Sequence, residues 1–402
     1  MIPTKENTVS ELLNRLSESA TLAMSRKSRE LQDKGVNVVN LSLGEPDFNT
    51  PDFVKEAAKK AIDENYSFYM PVNGYADFRQ SICHKFKRDN NLHFSPDQIV
   101  VSTGAKQSIA NILLSILNPG DEVLLPAPYW VSYIEIVKMA GATPIVIPSS
   151  IKNDYKISAE DLRAHVTDNS RILLFSSPCN PSGSVFTEKE LRELAKVVAN
   201  NPNLIVVSDE IYEHINYTEK HFSIGSIEEI KDQVATVNGV SKAYAMTGYR
   251  IGYMGAPIWI AQACTKLQGQ FTSGASSIAQ RAAKAAIEAD PTVVEFMRNK
   301  FEERRALIGK LLSEIAGVEI NKPQGAFYMF PEVSSFFGKA YGDTVIHNSD
   351  DLAEYILAEG HVATVSGAAF GSPECLRISY AASEANIIEA GKRLKKALNN
   401  LK

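Results

Sequence analysis

The residues best suited to chemistry lie in one stretch, Gly239-Val240-Ser241-Lys242-Ala243-Tyr244-Ala245-Met246-Thr247-Gly248-Tyr249-Arg250-Ile251-Gly252. It sets a lysine among small and apolar neighbours and an arginine eight positions later. A lysine amine has a reference pKa of about 10.4, so at neutral pH it attacks a carbonyl only where burial or a nearby cation favours the free base. Arg250 can supply that field, and it can also hold a phosphate. A second anion seat is written at Ile99-Val100-Val101, a buried strand, followed by the small-residue turn Ser102-Thr103-Gly104-Ala105 and a helix from Lys106 to Leu117. Such a turn leaves unpaired N–H groups and the positive end of the helix dipole facing outward. The stretch has neither the GxxxxGK spacing of a P-loop nor the GxGxxG of a dinucleotide site, so its anion is not that of ATP or NAD.

The elements that must position these groups alternate along the chain. Strands are expected at Glu122–Pro126, Thr143–Ile147, Arg171–Ser176, Leu204–Ser208 and Ala235–Asn238, and helices at Tyr133–Ala140 and Glu188–Ala199. Repeated units of this length argue for a mostly parallel sheet covered on both faces, with ligands at the carboxyl ends of its strands. The unusual residues cluster at those ends: Ala127-Pro128-Tyr129-Trp130, Pro178-Cys179-Asn180-Pro181-Ser182-Gly183, Asp209-Glu210-Ile211-Tyr212, and Lys242 itself. One sheet edge would then gather an aromatic plane (Trp130), an amide (Asn180), a carboxylate (Asp209), a phenol (Tyr212), an amine (Lys242) and anion seats at Gly104 and Arg250. A phosphorylated, planar, aromatic aldehyde needs that set. Its ring stacks on an aromatic, its phosphate takes helix N–H groups and an arginine, its ring nitrogen needs a carboxylate, and its aldehyde needs an amine.

The remainder of the chain frames this sheet. A polar arm leads into an amphipathic helix from about Ser10 to Lys34, stopped by Gly35, and then a strand from Val36 to Leu43. That strand runs into Gly44-Glu45-Pro46-Asp47-Phe48, a turn where backbone can approach a ligand. Thr50-Pro51 opens a helix to about Glu64, and Tyr66 to Tyr75 reads as an aromatic loop of the kind that recognises something. Near the C-terminus, Ala326–Phe330 and Leu376–Tyr380 read as strands, Asp350–Glu359 and Ser383–Leu398 as helices. The chain has 402 residues, 44% of them hydrophobic, enough for a large core divided into two or three domains. A formal charge of -5 argues against nucleic acid or an anionic membrane as partner. Four scattered cysteines form no CxxC pair, which speaks against a disulfide framework or zinc site and for a reducing cytoplasm. No metal is expected, and neither a secretory leader nor a membrane span is read in the sequence.

From Leu43-Gly44-Glu45-Pro46-Asp47-Phe48 to Leu376-Arg377-Ile378-Ser379-Tyr380, and above all in S-K-x-x-x-M-T-G-x-R-x-G, the chain resembles the pyridoxal-5'-phosphate (PLP) aminotransferases of class I/II, in particular the bacterial aspartate aminotransferase subgroup. The resemblance implies an α/β fold of PLP-dependent transferase fold type I. A mostly parallel seven-stranded sheet would form a large cofactor-binding domain over residues 51–304. A smaller α+β domain would be built from both chain ends, residues 1–50 and 305–402. It further implies that Lys242 is the Schiff-base lysine and acid/base, Asp209 the pyridinium partner, and Asn180 and Tyr212 the partners of the ring oxygen. Trp130 would stack on the ring; Gly104, Ala105, Lys106 and Arg250 would hold the phosphate; and Tyr69 would reach the phosphate of a neighbouring subunit in a homodimer. Arg377 would clamp the substrate α-carboxylate, with Gly44 and Asn180 beside it.

The substrates implied are an amino acid and a 2-oxo acid, with L-aspartate and 2-oxoglutarate giving oxaloacetate and L-glutamate in a ping-pong scheme. In this subgroup a phosphate-loop lysine, here Lys106, meets the side-chain carboxylate, and the stretch Gln270–Gln280 holds no arginine that would serve instead. Relatives active on prephenate often carry Lys-Pro just before Ser-Ala-Thr; this chain has Ser17-Glu18 before Ser19-Ala20-Thr21, so the resemblance to them stops short at this point. An aminotransferase for alanine, aromatic or other neutral donors, or a PLP-dependent C–S β-lyase, would share Lys242, Asp209 and Arg377.

Overall fold

The structure is a computed structural model that describes residues 9–218 and 220–402; the opening polar arm before Val9 lies outside the described residues. Among these, seven strands form the main sheet: β1 (Ile99–Ser102), β2 (Glu122–Pro126), β3 (Thr143–Ile147), β4 (Ser170–Ser176), β5 (Ile205–Asp209), β6 (Val234–Gly239) and β7 (Gly252–Gly255). Their spatial order is β1-β7-β6-β5-β4-β2-β3, and β7 alone runs antiparallel to both its neighbours. The sheet is therefore mostly parallel, as expected. Its central strands are buried on both faces, which is why they read as continuous apolar runs: Ile172, Leu173 and Leu174 of β4 are fully buried, each contributing roughly 1.5–3 kcal/mol.

The helix over Glu188–Ala199 starts where Thr187 and Glu190 make a reciprocal capping box, and it buries Leu191, Leu194 and Val198 against one face of the sheet. Helix Ala105–Ile116 packs Ile109, Ile112 and Leu113 against the other face.

β7 escaped the sequence reading because it is four residues long with glycine at both ends. Gly252 pairs with Ser102 on one side and Gly239 on the other, so the reversed strand delivers Arg250, two residues earlier, to the edge where the parallel strands end.

The long N-terminal helix is interrupted. Glu11–Asn14 forms one turn and Ala20–Asp33 a proper helix, with Ser19 extended at its N-cap. Ser17 and Ser19 favour caps over helix interiors, and the Ser17 amide instead donates to Glu135 at 2.9 Å. The strand expected at Val36–Leu43 shortens to Val39–Asn40, paired in parallel with Val362–Ala363. Beyond it the Asn40 side chain accepts from the Ser42 amide at 2.9 Å, an Asx turn that competes with the ladder.

Leu376–Ser379 is the middle strand of a three-stranded antiparallel sheet between Val365–Ser366 and Tyr328–Met329, the latter shorter than the expected Ala326–Phe330 because Ala326 takes φ 56°. Helix Glu295–Ser313 runs uninterrupted past Arg304, where the sequence reading drew a domain boundary. The basic run Lys392–Lys396 lies on the helix Glu384–Asn400, with Arg393 paired to Glu389 and Lys395 to Glu314. No helix among the described residues is long and apolar enough to cross a membrane.

Candidate active site

A cavity of about 330 Å³ opens at the carboxyl ends of the strands. At one end, Gly104 turns with φ 86° into helix Ala105–Ile116, whose first N–H groups are unpaired by the helix itself. A Cβ on Gly104 would lie 2.3 Å from an Arg250 guanidinium nitrogen, and one on Gly252 would lie 2.1 Å from the Ala105 amide nitrogen. Only glycine lets arginine and helix start come this close. Arg250 itself sits at φ 56° and donates to the Thr247 carbonyl at 2.9 Å. Lys106 places its Nζ 4.9 Å from the centre of the Trp130 ring; burial, with the Arg250 charge adding to it, lowers its pKa. Two cations and a helix N-terminus thus converge without an acidic partner for either cation among the described residues, an arrangement that attracts anions.

Lys242 reaches the middle of the cavity from the loop after β6, its ammonium donating to the Gly44 carbonyl at 2.6 Å. Burial lowers its pKa to about 8; the Arg377 and Arg250 charges act in the same direction, against Glu45 and Asp209. Glu45 is held by the Thr247 hydroxyl. Asp209, the last residue of β5, is buried, and burial raises its carboxyl to about 6 against the pull of its hydrogen bonds. Those bonds come from the Tyr133 hydroxyl to Oδ2 at 2.7 Å and from the Ile211 amide to Oδ1 at 3.3 Å. Tyr212 shares a 2.8 Å hydrogen bond with the Tyr328 hydroxyl, and burial pushes its phenol well above the ordinary value.

Arg377 closes the cavity. Only 1% exposed, it lies between the Tyr328 and Phe370 rings, with its guanidinium carbon 4.6 and 5.0 Å from their centres. Nη1 donates to Asn180 Oδ1 at 3.1 Å; Nη2 donates to the Ser42 carbonyl at 2.5 Å and to Thr21 Oγ1 at 3.4 Å. No carboxylate pairs with it among the described residues, and Nε has no partner at all. A buried guanidinium without a counter-ion is costly, so its position at the cavity wall marks a seat for a carboxylate from outside the chain.

Ala105, Lys106, Trp130, Asn180, Asp209, Tyr212, Lys242, Arg250, Gly44 and Arg377, all named from the sequence, line this one cavity; Gly104 lies directly beneath Arg250. Tyr69 does not: it is 99% exposed on the loop between Tyr66 and Tyr75. The sequence reading passed over Tyr133, Tyr328, Thr21 and the Ser42 carbonyl. Tyr133 stands three residues after Trp130 on helix Ser132–Met139, ring edge to ring face at 5.5 Å. That i, i+3 spacing was a signal available in the sequence.

Fold and site together describe an enzyme that handles a small carboxylate-bearing molecule with an activated lysine and an anion-binding end of the cavity. The family model for aminotransferase class I and II matches residues 36–394. A bifunctional aspartate aminotransferase and glutamate/aspartate-prephenate aminotransferase of Petunia hybrida is 46% identical over 98% of this chain and 83% of its own. An aspartate aminotransferase of Bacillus sp. (strain YM-2) is 43% identical over 94% of this chain and 96% of its own. Among solved structures, the aspartate aminotransferase from Rhizobium meliloti superposes with a TM-score of 0.95 at 37% identity, covering 98% of this chain and all 100% of that one. The chain belongs to the class I and II aminotransferase family. It is an aminotransferase, and its family implies PLP as the cofactor. The donor set fits that group: paired cations and helix N–H groups for a phosphate, an aromatic face, a buried acid and a free amine stand around a single cavity.

Proposed function

We propose that the protein is an aspartate aminotransferase that moves the amino group of L-aspartate to 2-oxoglutarate, using PLP. The observation that carries the reading is the unpaired Arg377 on the same cavity as Lys242 and Lys106, two cationic seats suited to the two carboxylates of one substrate. Gly104, Ala105, Lys106 and Arg250 would hold the phosphate, Trp130 would cover the ring, Asn180 and Tyr212 would bond its oxygen, and Asp209 would hold a proton on its nitrogen. When bound, the cofactor supplies an electrophilic carbon for the amine and a ring that withdraws electrons from the substrate α-carbon. Arg377 and Asn180 orient the α-carboxylate, with the Gly44 backbone beside them. Lys242, as a neutral amine, would take the α-proton and, as an ammonium, give a proton back. Burial that lowers its pKa suits both tasks.

The same reading takes the protein as a cytoplasmic homodimer, the exposed Tyr69 entering the neighbouring site. Residues 51–304 would form the large cofactor domain, and residues 1–50 and 305–402 the small one. Prephenate occurs in the names of several relatives. Here the Ser17 amide is tied to Glu135 and Glu18 is paired with Arg26, next to the cavity residue Ser19, and this favours the aspartate reading.

A panel of amino donors and 2-oxo acids, followed through the cofactor's absorbance in each half-reaction, tests the proposal. Aspartate and glutamate are expected to convert the cofactor fastest; no change with either would refute it. In Lys106→Ala, loss of a charge-assisted bond of about 1.5–3 kcal/mol raises KM for aspartate roughly tenfold to a hundredfold. KM for alanine, which has no side-chain carboxylate, stays within about twofold. Equal effects on both donors would remove Lys106 from substrate recognition.

A further inference from the structure

Behind the active site lies a second cluster of charged side chains that the reaction does not touch. The turn after β5 sends its side chains to two sides. Asp209 and Tyr212 face the cavity, whereas Glu210 and Glu213 point away from it into the protein. There Lys85, from helix Ala76–Lys85, is buried and paired with Glu213, and it donates to Asn90 Oδ1 at 2.7 Å. The Asn90 amide in turn donates to Glu210 at 3.0 Å and to Glu213 at 2.6 Å, joining the two carboxylates. Glu210 also accepts from Ser208 at 3.0 Å and from Ser223 at 2.6 Å.

The charges do not balance through lysine and arginine alone. Lys85 serves Glu213, and Arg88 serves Asp89 at 2.6 Å. Glu210, 1% exposed, has only His221 as an ionic partner among the described residues, with Nε2 3.0 Å from Oε2. His214 stands 3.3 Å from Glu213 but its Nε2 makes no hydrogen bond. A buried carboxylate without a cation costs several kcal/mol.

We propose that His221 is the protonated partner of Glu210, and that the ion pairs His221–Glu210 and Lys85–Glu213 hold the 209–214 turn from behind. These four are then positioning residues for Asp209 and Tyr212. Burial opposes the His221 charge; among the described residues, Glu210 and Glu213 favour it and Lys85 opposes it, and the balance raises its pKa. For His214 burial prevails, and its pKa falls. The two histidines thus take different charge states within one network. A raised histidine pKa means that this support is present below the ordinary value of about 6.5 and persists above it, then fades as pH rises through the folded value.

The inference rests on reading Asp209 and Tyr212 as cofactor contacts, and its tests separate the two. Histidine-selective ¹⁵N NMR of the full-length holoenzyme is expected to show His221 charged and His214 neutral at pH 7; a neutral His221 there would overturn the proposal whatever the cofactor contacts are. His221→Gln keeps a hydrogen-bond donor for Glu210 but removes the charge. It is expected to weaken PLP affinity about tenfold and lower kcat, with KM for aspartate within about twofold, as when the outer partner of a functional ligand is lost. Glu210→Gln added to His221→Gln removes the unpaired anion and is expected to restore most of that affinity, which a purely space-filling role would not do. A double variant no better than His221→Gln would sink the proposal. If His221→Gln alone does not fold, a double variant that folds and binds PLP supports it, and one that fails equally refutes it. Asp209→Asn with unchanged PLP affinity would instead refute the reading of Asp209.

Discussion

Lys242→Ala is expected to lower kcat for the aspartate half-reaction by about four orders of magnitude or more. General acid/base catalysis alone is worth about 10²–10⁴-fold, and the variant also loses the nucleophilic amine. The remaining anion seat should still bind PLP, but reversibly. A variant within tenfold of the parent would remove Lys242 from the mechanism. The same residue sets a pH signature. The amine reacts only when neutral, and its pKa is lowered to about 8. Below that value the cation dominates, and above it the free base does. Covalent uptake of PLP by the apoprotein should therefore speed up about tenfold per pH unit below 8 and level off above it. A flat profile between pH 6 and 8 would mean that the buried amine is already neutral.

Asp209→Asn is expected to move activity and stability in opposite directions. If Asp209 protonates the cofactor ring as proposed, its loss should lower kcat about 10²–10⁴-fold. The apoprotein should gain stability. Burial raises the Asp209 carboxyl to about 6, well above its unfolded value, so the folded state is favoured while the group stays protonated. That contribution is complete below the unfolded pKa of about 3.9 and is lost as pH rises through about 6, leaving a cost on the order of 2–3 kcal/mol at pH 7–8. Asparagine has no charge to desolvate, and its amide oxygen can still accept from Tyr133. The apo variant should melt a few degrees above the parent at pH 8, with the gain shrinking toward pH 5. An equal gain at both values would show that the carboxyl charge is not its source.

Strands β1, β2, β4, β5 and β6 were legible in the sequence because burial on both faces writes each as an apolar run, and punctuation by Pro, Gly and Asn marks their ends; β3, an edge strand with Thr143 and Val146 exposed, was legible from its β-branched residues instead. β7 was not: Gly-Tyr-Met-Gly has almost no strand propensity and owes its place to partners on both sides. The pairing of Val39 with Val362 likewise depends on where two distant segments meet, which local pattern does not encode. In the site, Lys242, Asp209, Trp130 and Asn180 stood out as polar or aromatic residues at the ends of apolar strands, and Arg250 by its spacing eight residues after Lys242. Tyr133 and Tyr328 did not, since each completes the hydrophobic pattern of its own element. Apart from the spacing of Tyr133 three residues after Trp130, only the partner of each hydroxyl, Asp209 in one case and Tyr212 in the other, sets them apart, and those partners are remote in sequence. The broken N-terminal helix was missed for a related reason: Leu12, Leu13, Leu16 and Leu22 fit a helical period well enough to mask the break between them, where the Ser17 amide turns to Glu135 and Ser19 takes the N-cap position.

Gly104 and Gly252, packed against Arg250 and Ala105, have a consequence for how this enzyme can change over generations. A methyl group at Gly252 collides with the Ala105 backbone, and Gly104 holds a left-handed φ of 86° beneath the Arg250 guanidinium, so the Arg250 end of the site tolerates little drift. At Gly44 a Cβ would lie 2.5 Å from the Tyr328 hydroxyl, a contact with a side chain rather than with backbone. The opposite rim, formed by Ser19, Thr21 and Leu22 at the start of a surface helix, carries no such constraint, and Leu22 is 62% exposed. Descendants with a new substrate range would be expected to differ first along that rim, over an unchanged cofactor seat.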